Sequence, residues 1–354
     1  MHLSRKRPLG TVLPGRSHPG QFLDAGGAAR GISADESMGC PGLGGNRAAD
    51  GPRSLGWSVA PSNLDWQSKF VQLVVLPATA VSVALEAHWW AVNSWPVAVW
   101  TGGLSVLLGL VVLWLRAATP GAAVAGVVLT ASLMFSTEHF PYRPWQTALV
   151  PVLAVSLLTW AATRLGRDEK ERLGTGERRQ GRAASQVAAN LGLAALVSDG
   201  VAQSWLGGTG WFSRAAATPI PLFAVGLAAL AEAAADTVSS EVGQVLGGRP
   251  KMITTLRSAE PGTDGAISVA GTVAGTAAAG VVALAGSLAL DGGGAMLTVS
   301  WAGGVFGLLF DSLLGATLER RGWLNNDAVN FLSTASAALC AMALLAMQAH
   351  FGWR

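Results

Sequence analysis

The residue types best suited to chemistry lie between Glu232 and Gly275. Three carboxylates, Glu232, Asp236 and Glu241, stand shortly before three cations, Arg249, Lys251 and Arg257. Glycines occur at Gly243, Gly247, Gly248, Gly262 and Gly265. Residues four apart on a helix lie one above the other, so Glu232 and Asp236 share a face. Asp236, Ser239 or Ser240, and Gly243 carry that face onward. Carboxylate oxygens suit Mg2+, and a glycine-rich basic loop with open backbone N–H groups suits phosphate. A second polar group runs over residues 310–317 and 323–330. Asp311 stands there in an apolar stretch, where an ionisable group is costly and therefore functional by default. Asp311 and Gly315 share a face, as do Asn326 and Asn330. Glu232, Asp236 and Asp311 are the expected metal ligands, and Asp236, Asp311 and Glu241 the expected catalytic carboxylates. Asn325, Asp327 and Glu319 read instead as helix caps or partners of nearby arginines.

The elements that must position these groups are membrane helices. Half the residues are hydrophobic (51%) and only 13% are charged, against about 25% charged in a soluble domain. A span needs about 20 mostly apolar residues. Nine segments qualify as candidates: 70–87 (interrupted by Pro77), 96–115, 120–136, 145–165, 187–206 (with Asp199 inside), 218–235, 266–290, 295–318 and 328–350. Tryptophans including Trp89, Trp90, Trp95, Trp145, Trp205, Trp211 and Trp323 fall near the proposed ends, as interface aromatics do. With the N-terminus in the cytoplasm, Arg116, the basic run from Arg164 to Arg182, Arg249, Lys251, Arg257, Arg320 and Arg321 all fall inside. Only Arg143, Arg214 and Arg354 fall outside. That asymmetry fits the positive-inside rule. It puts the loop from Asp236 to Gly265, the loop from Glu319 to Asp327, and Gln186 with Asn190 on one cytoplasmic face.

The expected fold is therefore all-α, a polytopic transmembrane helix bundle of about nine spans over residues 67–354. Residues 1–66 are rich in Gly, Pro, Arg and Ser and lack apolar periodicity, so a disordered cytoplasmic tail is expected there; an over-extended start is one explanation of it. Small residues recur every four positions at Gly271, Gly275, Ala279 and Ala283, and again at Gly303 and Gly307. This spacing lets helices approach closely. Cys40 and Cys340 imply no disulfide framework, and the five histidines show no ligand spacing.

The polar stretches resemble a family of integral membrane proteins catalogued as domain of unknown function 92. It includes transmembrane protein 19 and the plastid phytyl-phosphate kinase. The resemblance is carried by Ala235-Asp236-Thr237 with Ser240-Glu241, Ile253-Thr254-Thr255, Pro261-Gly262-Thr263-Asp264-Gly265 and Gly271-Thr272. It is carried further by residues 311–316 and 326–330, and by Gly181-Arg182 with Gln186-Val187 and Ala189-Asn190. A looser likeness is to dolichol kinases, whose CTP-associated pattern is matched by Asp236, Ser239, Gly243 and Gly247, and later by Thr263 and Gly265. The lysine pair of that pattern is absent here, and Arg249, Lys251 and Arg257 are candidates to replace it.

These resemblances imply a kinase using Mg2+ and a nucleoside triphosphate, CTP first, to convert a phytyl-type isoprenoid monophosphate to the diphosphate. The nucleotide-binding set is then Ser239, Gly243, Gly247, Arg249, Lys251, Arg257, Thr263, Gly265, Asn326 and Asn330. Charge neutralisation and in-line positioning suffice for such a transfer, so the lack of a His or Cys nucleophile is no obstacle. A CTP-dependent lipid cytidylyltransferase and a non-enzymatic transporter or scaffold are the alternatives. Clustering of the polar groups at one face argues against a transporter, whose site lies at the midplane. The expected surroundings are the bilayer of the cell (inner) membrane, with the active site cytoplasmic and no nucleic acid as partner; homo-oligomerisation stays open.

Overall fold

The computed structural model describes residues 64–173, 181–200, 203 and 222–351. All belong to the second of two compact units, residues 58–354. The expected tail lies outside the described residues up to position 63, as do the end of the fifth expected span and the start of the sixth. Apolar sequence and intrahelical hydrogen bonding give nine apolar helices among the described residues, since a backbone in hydrocarbon must satisfy its own polar groups. They are α1 (Asp65–Asn93), α2 (Trp95–Trp114), α3 (Pro120–Phe135), α4 (Leu149–Arg164), α6 (Ala184–Ser198), α7 (Phe223–Leu246), α8 (Val269–Ala289), α9 (Gly293–Leu314) and α10 (Asn326–Phe351). A short charged helix, α5 (Arg167–Leu173), follows α4. Between α7 and α8 lies a two-residue antiparallel ribbon, β1 (Lys251–Met252) with β2 (Ala266–Ile267). The architecture is all-α and multi-pass.

Six of these helices, α1, α2, α7, α8, α9 with its terminal turn, and α10, are long and apolar enough to cross a bilayer. The other three, α3, α4 and α6, have 16, 16 and 15 residues. At 1.5 Å per residue such helices span only about 24 Å; α3 coincides with its expected run within one residue, and α4 is five residues shorter than its own. In the first span Pro77 does not break the helix. The Thr79 hydroxyl donates to the Val75 carbonyl at 2.8 Å.

Helix α7 is the axis of the bundle and packs against α4, α6, α8, α9 and α10. Every residue from Phe223 to Ala235 is buried. Close approach depends on the small-residue spacing seen in sequence. A Cβ on Gly275 of α8 would lie 2.7 Å from the Ala235 carbonyl, and one on Gly307 of α9 would lie 2.5 Å from Glu232 Cγ. The same packing brings Asp236 of α7 towards Asp311 of α9. Gly307→Val should therefore drive α9 off α7. Overpacking of this kind costs about 1–3 kcal/mol or more, and the thermal midpoint in detergent should fall by several degrees; an unchanged midpoint would show that Gly307 does not pack tightly against Glu232.

Polar contacts gather one set of helix ends. Gln67 Nε2 at the start of α1 donates to the Trp323 carbonyl at 2.9 Å, and the Asn325 backbone N–H donates to Gln67 Oε1 at 2.9 Å. Asn325 caps α10 by accepting from the Ala328 N–H at 2.9 Å, the capping role its type suggests. The turn after α2 pairs with the strand before α6, where Arg182 N–H donates to Ala117 O at 3.0 Å and Thr119 N–H to Arg182 O at 3.0 Å. Gly181 (φ +74°) is needed there, because a Cβ would lie 2.5 Å from the Ala117 carbonyl carbon.

Candidate active site

Helix α7 does not end near Ala235 but continues to Leu246, where Gly247 closes it by donating to the Gly243 carbonyl at 3.0 Å. Asp236, Ser239 and Gly243 therefore stand on a helix and not in a loop. They form one wall of a cavity of about 270 Å3. The opposite wall is Asp311 and Ser312 of α9, with Gly315 and Glu319 from the π turn that follows (Gly315–Glu319). Such turns are frequent at functional sites. The loop from Pro261 to Ser268 covers the cavity, and Asn326 at the start of α10 completes it.

The loop is held down by glycine. Gly265 adopts φ +73°, and a Cβ there would lie 2.2 Å from the Ala316 backbone nitrogen. Ile253 N–H donates to the Gly265 carbonyl at 3.1 Å, and Thr263 Oγ1 to the Glu260 carbonyl at 2.8 Å. Ser268 caps α8 by accepting from Gly271 N–H at 3.0 Å. The positive end of α8 thus opens on the cavity, where it favours an anion.

The carboxyl groups of Asp236 and Asp311 lie within hydrogen-bonding reach of each other. Asp311 Oδ1 is buried with no partner, as is Gln244 Oε1 on the same cavity. Among the described residues four carboxylates line the cavity, Asp236, Asp264, Asp311 and Glu319, and no Lys or Arg does. Arg182 stands beside the site from the α6 side; its Nη2 donates to Thr237 Oγ1 at 3.2 Å. Arg320 lies near Asp264. Desolvation raises the Asp264 carboxyl above the usual carboxylate range, and Arg320 works against that rise.

The expected site residues therefore divide. Asp236, Asp311, Ser239, Gly243, Thr263, Gly265 and Asn326 converge on one cavity. Glu232 lies a turn deeper on α7, 1% exposed, with neither carboxyl oxygen hydrogen-bonded. The nearby Ser333 hydroxyl donates instead to the Asn330 carbonyl at 3.0 Å. Asn330 is buried outside the cavity lining. Glu241 points away and forms an ion pair with Lys170 of α5 at 2.5 Å. Gly247 serves as the α7 cap, and Arg249, Lys251 and Arg257 are exposed around the ribbon, outside the lining. Sequence reasoning gave no site role to Glu319, Asp264, Gln244 or Ser312. For Asp264 the signal was its place inside the glycine-rich motif; Glu319 looked like a helix-end charge.

A cation fits this donor set. Four carboxylates without a lining cation need positive charge to admit a phosphate. No three His, Cys, Asp or Glu side chains among the described residues converge as a ready-made metal cage. Mg2+ is commonly held by one or two carboxylates plus substrate phosphates and water, and the donor chemistry of Asp236 and Asp311 is of that kind.

Fold and site together define a multi-pass integral membrane protein with an acidic, glycine-walled cavity where helix ends meet at one face of the bundle. Residues 103–338 match the family described as Integral membrane protein DUF92, and the chain belongs to that family. It is 44% identical over 108 residues to an uncharacterized membrane protein of Methanocaldococcus jannaschii, covering 30% of this chain and 45% of that protein. It is 34% identical over 232 residues to an uncharacterized membrane protein of Synechocystis, covering 63% and 79%. It is 29% identical over 195 residues to the chloroplastic protein VTE6 of Arabidopsis thaliana, covering 54% and 56%. The chain thus spans under half of the archaeal relative and little over half of VTE6. No solved structure matches the chain.

Proposed function

We propose that the protein is a membrane-embedded phosphotransferase that converts an isoprenoid monophosphate of the phytyl type to its diphosphate, with CTP as donor and Mg2+ as cofactor. The observation that carries this reading is the half-buried Asp236–Asp311 pair on the wall of a polar cavity at the helix ends. The motif resemblance to plastid phytyl-phosphate kinase and the similarity to VTE6 support the acceptor class. The basic residues on the same set of helix ends support a cytoplasmic site in the cell membrane.

In this reaction an oxygen of the lipid phosphate attacks the γ-phosphorus of the nucleotide. The bond from that phosphorus to the β,γ-bridging oxygen breaks, and CDP leaves with its electron pair. No proton need move, so no strong base is required. Mg2+ would be held by Asp236 and Asp311 and supply neutralisation of the phosphate charge. Ser239, Gly243 and the α8 N-terminus line the space for the phosphates, and the loop 261–268 excludes water from it.

Purified protein in liposomes, given Mg2+, γ-labelled CTP and phytyl or geranylgeranyl monophosphate, should transfer label to the lipid and release CDP. Release of pyrophosphate instead would identify a cytidylyltransferase, and no transfer from any nucleoside triphosphate would sink the reading. Gly265→Ala must lift the loop off Ala316 by an ångström or more. Misplacement on that scale can cost about a hundredfold in rate, so kcat should fall by that order while helix content by circular dichroism stays the same.

A further inference from the structure

The bundle contains a second cavity, of about 350 Å3, between α2, α3, α4 and α6, with Ala233 of α7 at its inner wall. Its chemistry is the reverse of the first. Arg116, Arg164, Arg167 and Arg182 stand around one end, and among the described residues no carboxylate lines it. The rest is apolar. Along α4 the lining runs from Arg164 down to Val152, about 18 Å at the helical rise, or roughly the depth of one leaflet of a 30 Å hydrocarbon core. Gly126 leaves the channel open, since a Cβ there would meet nothing within 4 Å. The outer wall includes Leu157, 63% exposed on the bundle surface, so the channel communicates sideways with the bilayer.

The cationic end is constructed, not incidental. Arg164 donates to the Leu115 carbonyl at 3.0 Å and stacks on Trp160 at 4.5 Å. Lys170, 2% exposed, is tied to Glu241 and to the Ala162 carbonyl at 2.9 Å, which fixes α5 and the mouth against α7. Arg182 joins the two cavities, lining this one while donating to Thr237, the neighbour of Asp236. The motif residues Gly181, Arg182, Val187 and Asn190, which the carboxylate cavity does not use, line this one.

We infer that this cavity binds a single-chain anionic lipid, its apolar tail lying along α4 and its phosphate at the arginine end, where Arg182 reaches Thr237. Identifying that lipid as the phosphoryl acceptor rests on the proposed function; binding itself does not. The test uses the full chain in nanodiscs and geranylgeranyl monophosphate carrying a terminal diazirine. Photolabel should map to α3 and α4, and unlabelled geranylgeranyl phosphate should compete. Geranylgeraniol, which lacks the charge, and phosphatidylglycerol, which has two chains, should compete at least tenfold more weakly.

Gly126→Trp should cut labelling at least tenfold, and Arg116→Glu with Arg164→Glu, at exposed positions that spare the core, should do the same. Labelling elsewhere, labelling indifferent to the arginine pair, or equal competition by phosphatidylglycerol or geranylgeraniol would overturn the inference. Labelling as expected without any phosphoryl transfer would remove the proposed reaction and leave the lipid site standing. Transfer without labelling here would do the reverse.

Discussion

Asp236→Asn and Asp311→Asn should each abolish phosphoryl transfer while leaving the protein folded. Changes in the outer shell of metal sites already cost about 10–100-fold, and a lost ligand should cost more. The two carboxyl groups approach each other from separate helices, and Asp311 Oδ1 has no protein partner. Bringing like charges together is unfavourable unless a cation joins them. Substitution by Asn removes that repulsion and keeps the shape. The thermal midpoint without Mg2+ should therefore stay constant or rise, even as activity disappears. A fall in both together would mean that the pair only holds α7 to α9.

Glu241→Gln should behave in the opposite way, lowering stability far more than turnover. Its partner Lys170 has a side chain only 2% exposed, and Glu241 15%. Removing one member of a buried pair costs about 3–5 kcal/mol. Lys170 keeps its bonds to the Ala162 and Thr163 carbonyls at 2.9 and 3.3 Å, which places the loss towards the lower end. Converting the pair to Lys170→Met with Glu241→Leu should recover most of it, because apolar replacements avoid the desolvation of both charges. Denaturation in detergent gives the stability, and transfer per folded molecule gives the activity. A stable but inactive Glu241→Gln protein would return Glu241 to the reacting centre.

Much of the site was legible in the sequence because membrane burial makes polar residues conspicuous. Asp236 and Asp311 stood out in apolar runs, and glycines at fixed spacing announced close helix contacts. Hydropathy failed where helices change environment. Helix α7 runs on through Asp236 to Leu246 because its polar end is still helical and lines a cavity, while an apolar scale stops at Ala235. Helix α4 starts four residues later than its apolar run promised, at Leu149, after the turn at Pro144–Gln146, while α3 keeps the expected start and ends at Phe135. Thr119 caps α3 by accepting from Ala122 N–H.

Charge was the least legible property, since proximity in sequence is not proximity in space. Arg249, Lys251 and Arg257 follow the carboxylates closely along the chain yet remain on exposed backbone. Lys170, far upstream, is the cation that reaches Glu241, and Arg182 is the one that reaches Thr237. Glu319 reads in sequence as a helix-end charge because only the π turn after Leu314 brings it onto the cavity wall.

Mn2+ electron paramagnetic resonance in the presence of CTP offers the most direct test, because Mn2+ substitutes for Mg2+ and reports its own ligands. Purified wild-type protein should hold one or two Mn2+ ions that require CTP for tight binding, and Asp236→Asn or Asp311→Asn should release them. Unchanged Mn2+ binding in the Asp236→Asn, Asp311→Asn double variant would contradict a cation and nucleotide site between α7 and α9.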